Sequence, residues 1–79
     1  MEVDVFPNPA FEQVTINLSQ TVRNGQVTLR STSGNVVLEQ SISKKETIVI
    51  LDLTNIENAI YILNVVSDEI EYTQQLVKE

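Results

Sequence analysis

Polar and apolar positions alternate along most of the chain, and no stretch sustains the period of about 3.6 residues that a helix needs. The clearest alternation is Gln13–Ser19, where Val14, Ile16 and Leu18 share one face and Thr15 and Asn17 the other. Successive side chains of a strand point to opposite sides, so this pattern predicts a strand buried on one face. Gln26–Ser31 repeats it, with Val27 and Leu29 set against Thr28 and Arg30. Val3–Phe6, Val36–Ser41, Thr47–Asp52, Ala59–Val66 and Ile70–Lys78 complete a set of seven predicted strands. Their spacing of about 8–12 residues is that of a sandwich. In Ile48-Val49-Ile50-Leu51 the alternation fails, which predicts burial on both sides or a bulge.

The breaks between strands carry turn chemistry. Pro7-Asn8-Pro9 ends the first strand, because proline lacks an N–H and holds the preceding residue extended. Asn24-Gly25 reads as a turn tip in which both residues tolerate positive φ. Ser33-Gly34-Asn35 reads as a tight hairpin, Ser43-Lys44-Lys45-Glu46 as a solvated loop, and Ser67-Asp68-Glu69 as the last turn. Between Leu53 and Leu63 the chain has the marks of a crossing between two sheets. Tyr61 stands where an immunoglobulin-like sandwich places a corner tyrosine that bonds back to the backbone a few residues upstream. Leu63, two residues on, takes the place of an antibody domain's second cysteine, and Leu53 and Ile56 are expected to pack the crossing onto the core. The reading is an all-β, immunoglobulin-like antiparallel sandwich of about seven strands.

The length of 79 residues bounds this to one domain, 1–79. Folding at this size buries only roughly 60% of the unfolded chain's surface. Aromatic residues make up 5%, so Val, Ile and Leu must supply the core. Met1 leads straight into Glu2-Val3-Asp4 with no signal-peptide pattern. The expectation is therefore a domain cut from something larger, with Met1 an expression start at the cut. No apolar run approaches the roughly 20 residues of a membrane helix, so no direct membrane insertion is expected.

Charge and chemistry narrow the function further. The net charge is −6, and the cations Arg23, Arg30, Lys44, Lys45 and Lys78 form no stripe. That argues against nucleic acid and anionic lipid as partners. Cysteine and histidine are absent, which removes disulfides, thiolate or imidazole metal sites, and Ser–His or Cys–His catalysis. Glu2/Asp4 and Asp68/Glu69/Glu71 lack the spacing of a calcium loop and read as a charged edge and a solvated turn. Asn17-Leu18-Ser19 is a glycosylation sequon inside a predicted strand and is expected to carry nothing. Phe6, Phe11, Tyr61 and Tyr72 are spread along the chain and form no aromatic platform. The expectation is no catalytic residue, no metal, no cofactor and no enzymatic activity. The residues leave two roles open: a small binding module for a ligand such as a sugar, or a spacer between domains.

Four segments resemble one family. Val5-Phe6-Pro7-Asn8-Pro9-Ala10 is similar to the opening Tyr/Phe-Pro-Asn-Pro stretch of the C-terminal sorting domain (type A) of the Bacteroidetes type IX secretion system. Val14-Thr15-Ile16-Asn17-Leu18 falls where that family has its second strand. Val27-Thr28-Leu29 leading to Ser33-Gly34-Asn35-Val36-Val37 is similar to its hairpin, with Asn35 in place of the usual lysine. Leu53–Leu63 with Tyr61, followed by Gln75-Leu76-Val77-Lys78, is similar to its Gly-x-Tyr strand and C-terminus, with Ala59 where glycine is common. The resemblance implies a C-terminal secretion signal behind an N-terminal cargo domain. The cargo would pass through the periplasm to the cell surface or the medium. The translocon would read the domain and a sortase would typically remove it. The candidate reading surface is the terminal strand and the neighbouring hairpin, namely Gly34, Gln74, Gln75, Leu76, Val77 and Lys78. The strand is expected to offer an open edge. Pro7, Asn8 and Pro9 are read as the domain boundary, and Tyr61 as a structural corner.

Overall fold

The structure is a computed structural model that describes residues 2–79. Met1, read above as a start at a cut boundary, lies outside the described residues. The strands are β1 (Val3–Phe6), β2 (Gln13–Leu18), β3 (Gly25–Ser31), β4 (Val36–Ile42), β5 (Ile48–Asp52), β6 (Ala59–Val66) and β7 (Glu71–Lys78). They form two antiparallel sheets, ordered β1-β2-β5 and β4-β3-β6-β7. Each predicted strand is present, with ends displaced by a residue at most.

Alternation sets which face of each sheet is buried. Val14, Ile16 and Leu18 of β2 are buried, and so are Val27 and Leu29 of β3. They meet Tyr61, Leu63 and Val65 of β6 and Leu76 of β7 in a single core. Pairing puts Leu29 beside Leu63 and Tyr61 beside Leu76, so large side chains stack across the strands. No polar or charged residue is buried among the described residues. Core burial of Val, Ile and Leu therefore supplies most of the stabilisation.

Three expectations are corrected. First, β5 is neither buried on both faces nor bulged: Ile48 and Ile50 are 51% and 52% exposed, while Val49 and Leu51 are buried. Sheet β1-β2-β5 presents its outer face to solvent, and β5 is its edge. A register shift lies between Leu29 and Arg30, opposite the start of β4. Second, only Asn24 of the Asn24-Gly25 pair has positive φ, at 54°. Gly25 is needed for space, since a Cβ there would lie 2.8 Å from Val22 Cγ2 and 3.0 Å from Ile42 Cβ. Third, Pro7-Asn8-Pro9 does not mark the domain boundary. It connects β1 to β2 inside the sandwich, because β1 pairs with β2 from Val3↔Leu18 to Phe6↔Thr15. The Phe6–Pro7 and Asn8–Pro9 peptide bonds are both cis.

Candidate functional site

Up-and-down strands sort the connections to two ends. The β1–β2, β3–β4 and β5–β6 connections lie at one end together with Lys78 and Glu79. The β2–β3, β4–β5 and β6–β7 connections lie at the other, together with Glu2. Contacts between the sheets fix this alignment. Ala10 bridges to Lys78 at the first end, and Asp68 N–H donates to the Arg23 carbonyl at 2.9 Å at the second. The chain therefore enters at one end and finishes at the other. The end holding Glu79 is called distal here.

At the entry end the acidic turn is used internally. The Arg23 backbone N–H donates to Glu69 Oε1 at 2.8 Å and its Nε–H to Oε2 at 3.0 Å. Asn24 Nδ2–H donates to Asp68 Oδ2 at 2.9 Å. The Arg23 backbone N–H first, and its guanidinium second, hold the Glu69 carboxyl below the usual carboxylate range. The turn is thus an anchor between β2–β3 and β6–β7. Among the described residues no cluster of carboxylates is arranged to hold a metal ion.

At the distal end the β5–β6 crossing is pinned by its tyrosine. Tyr61 Oη–H donates to the Glu57 carbonyl at 2.6 Å, four residues upstream, and Tyr61 is buried. Leu53 is fully buried, its N–H donates to the Glu12 carbonyl at 2.8 Å, and Ile56 packs against the core. Between this crossing and the β3–β4 hairpin is an open cleft of about 420 Å³, walled by Val37, Ile56 and Ile60 and rimmed by Ser31 and Asn55. Gly34 forms the hairpin tip with φ 96° and nothing near its missing Cβ.

The sequence-derived surface candidates separate on this frame. Gly34 and Lys78 share the distal end, but they are not neighbours: β3 and β6 stand between β4 and β7. Gln75 is exposed on β7, while Lys78 is half-buried and its Nζ–H donates to Asn58 Oδ1 at 3.0 Å. Gln74 and Val77 are half-buried. Leu76 is fully buried and belongs to the core, so it is not a surface for a partner to touch.

β7 is an edge strand, but its edge is not open throughout. The Gln75 carbonyl accepts from Asn8 Nδ2–H at 3.1 Å, and the Val77 N–H donates to Asn8 Oδ1 at 3.1 Å. Ala10 N–H donates to the Val77 carbonyl and Glu79 N–H to the Ala10 carbonyl, both at 2.7 Å. Sequence reading missed this contact because its partners are more than 60 residues apart. A local signal existed: Asn8 is the one side chain between two prolines that can both donate and accept. Phe6 and Phe11, on either side of this connection, are 49% and 57% exposed.

These features define a small antiparallel β-sandwich whose C-terminal strand is latched at one end by the β1–β2 connection. The sequence profile of the secretion system C-terminal sorting domain matches residues 4–79, and the chain belongs to that family, the sorting signal of type IX secretion. No curated protein matches. Among solved structures, the chain resembles a DUF3244 family protein with an immunoglobulin-like β-sandwich fold from Bacteroides vulgatus ATCC 8482. The TM-score is 0.82 at 19% identity, over 98% of this chain and 84% of that one. It also resembles CopC from Methylosinus trichosporium OB3b, with TM-score 0.64 and 12% identity, over 99% of this chain and 94% of that one. Both likenesses concern the fold, and the first agrees with the immunoglobulin-like sandwich read from the sequence.

Proposed function

We propose that this domain is read in its folded form at the distal end by the type IX translocon, and that a sortase then removes it from its cargo. It passes through the periplasm as the address on that cargo and is a substrate of an enzyme, not an enzyme. The observation that carries this reading is the family match over residues 4–79, which takes in β7 and all the distal-end connections. The arrangement supports the choice of surface. A polypeptide joined before Glu2 meets the sandwich at the entry end and leaves the Gly34 turn, Gln75 and Lys78 uncovered.

The test is an export assay. Glu2–Glu79 is fused behind a fluorescent protein carrying its own inner-membrane signal, in a host with a type IX system and in a translocon-deficient strain. Fluorescence at the surface or in the medium only when the translocon is present supports the reading. Periplasmic retention of a folded fusion in both strains overturns it.

One observation favours a second reading, a binding module. The exposed rings of Phe6 and Phe11 flank one connection and offer apolar faces to a sugar. Glycan binding abolished by Phe6→Ala or Phe11→Ala, with export absent, would select that role instead.

A further inference from the structure

In an antiparallel pair, the backbone groups of alternate residues point toward the partner and those between point away. On β7 the outward set includes Gln75 and Val77, since their groups meet the β1–β2 connection rather than β6. That connection reproduces the bonding of an added parallel strand. Ala10 takes the Val77 carbonyl and the Glu79 N–H, one residue either side of Lys78, its bridge partner. Two positions back, the carboxamide of Asn8 takes the Gln75 carbonyl and the Val77 N–H, one residue either side of Leu76. A side-chain amide here does the work of a peptide group. Pro7 and Pro9 bring no N–H of their own that would need a partner. The outward groups of Glu71 and Thr73 meet no such partner among the described residues.

We infer that Asn8 is a latch: together with the Ala10 bridge it closes the C-terminal half of the β7 edge against pairing with the β7 of a second copy of this chain. Two β7 strands related by a two-fold axis are self-complementary. With Gln74 on the axis, Tyr72 of one copy lies across from Leu76 of the other, so inward-facing apolar residues continue the core layer. The ladder would then run through the outward groups of Glu71, Thr73, Gln75 and Val77. Of these groups Asn8 holds the Gln75 carbonyl and the Val77 N–H, while the Ala10 N–H holds the Val77 carbonyl. The latch thus acts as an edge guard made from the chain's own amide rather than from charge. This inference does not depend on the sorting role.

The test uses the whole chain with Asn8→Ala and Asn8→Asp. Aspartate keeps an acceptor for the Val77 N–H but turns an oxygen toward the Gln75 carbonyl. In the wild type the Val77 amide is expected to exchange slowly and the chain to sediment as a monomer at about 1 mM. In Asn8→Ala, Val77 exchange should accelerate roughly fivefold or more, as one lost hydrogen bond implies. That variant should also dimerise, and added Gln74→Cys should give a disulfide-linked dimer absent from the Gln74→Cys single variant. Asn8→Asp should dimerise more weakly. Unchanged Val77 exchange, or faster exchange with a chain that stays monomeric, would overturn the latch. If Asn8→Ala does not fold, Asn8→Asp decides by the same readouts. Unfolding of both would overturn it too, by making Asn8 a determinant of folding.

Discussion

Tyr61 donates its hydroxyl to the carbonyl of Glu57 across four residues, at 2.6 Å, with its ring buried beside Leu76. This bond is what holds the β5–β6 crossing against the end of the core. Tyr61→Phe keeps the ring and leaves the Glu57 carbonyl without its partner, so a loss of about 1–2 kcal/mol is expected. Urea unfolding should show a lower midpoint with an unchanged slope. An unchanged midpoint would mean that water satisfies that carbonyl equally well.

Arg23 and Glu69 set the pH dependence of the entry end. The folded state holds the Glu69 carboxyl below its ordinary value, through the Arg23 backbone N–H first and the guanidinium next. A depressed carboxylate stabilises the fold above its unfolded pKa, and that contribution is lost as pH falls through the folded value. Asp52 acts in the same direction, held down by the Thr54 backbone N–H and then its hydroxyl at 2.9 and 2.7 Å. Stability should therefore fall from about pH 5 downward. Urea midpoints measured against pH should give a shallower fall for Glu69→Gln than for the wild type. Identical slopes would show that Glu69 does not contribute.

The two glycines should fail for different reasons. Gly25→Ala forces a methyl against Val22 and Ile42, and overpacking of this kind costs about 1–3 kcal/mol. Gly34→Ala meets no neighbour but must hold φ 96°, a cost of about 1–2 kcal/mol. Gly34→Asn should recover part of that loss, because asparagine tolerates the left-handed region. Gly25→Asn should recover nothing. Thermal unfolding of the four variants checks the contrast.

Leu76 and Lys78 separate folding from recognition. Leu76→Ala removes a fully buried side chain and should cost about 2–5 kcal/mol. Lys78→Ala gives up one exposed bond to Asn58 and should change stability by less than about 0.5 kcal/mol. Removing Gln74–Glu79 deletes core, latch and surface together, so its export defect has more than one cause. A drop in export for Lys78→Ala with unchanged stability would assign reading to the distal surface. Full export in that variant would exclude the Lys78 ammonium.

Much of the fold was legible because burial follows a period of two: Val14, Ile16 and Leu18 mark their face in the sequence itself. Tyr61 and Leu53 were legible because a corner is a local pattern. β5 misled because Ile48 and Ile50 lie on the solvent face of an edge strand, where composition alone reads as burial. Gly25 misled because crowding from Val22 and Ile42 is tertiary. For the distal end, Gly34 was visible as a turn, but its separation from β7 depends on sheet order. Pro7-Asn8-Pro9 was visible as a break, while its role on β7 required knowing that the two ends of the chain meet.

The chain's entry and exit at opposite ends make the sandwich a standoff. Its longest dimension is 30 Å. A strand the length of β7 spans about 26 Å, at roughly 3.3 Å per residue. Whatever is joined before Glu2 is thus kept one domain-length from Glu79. Bulk and shape at one end are insulated from the other, so cargoes of very different size can present the same tip.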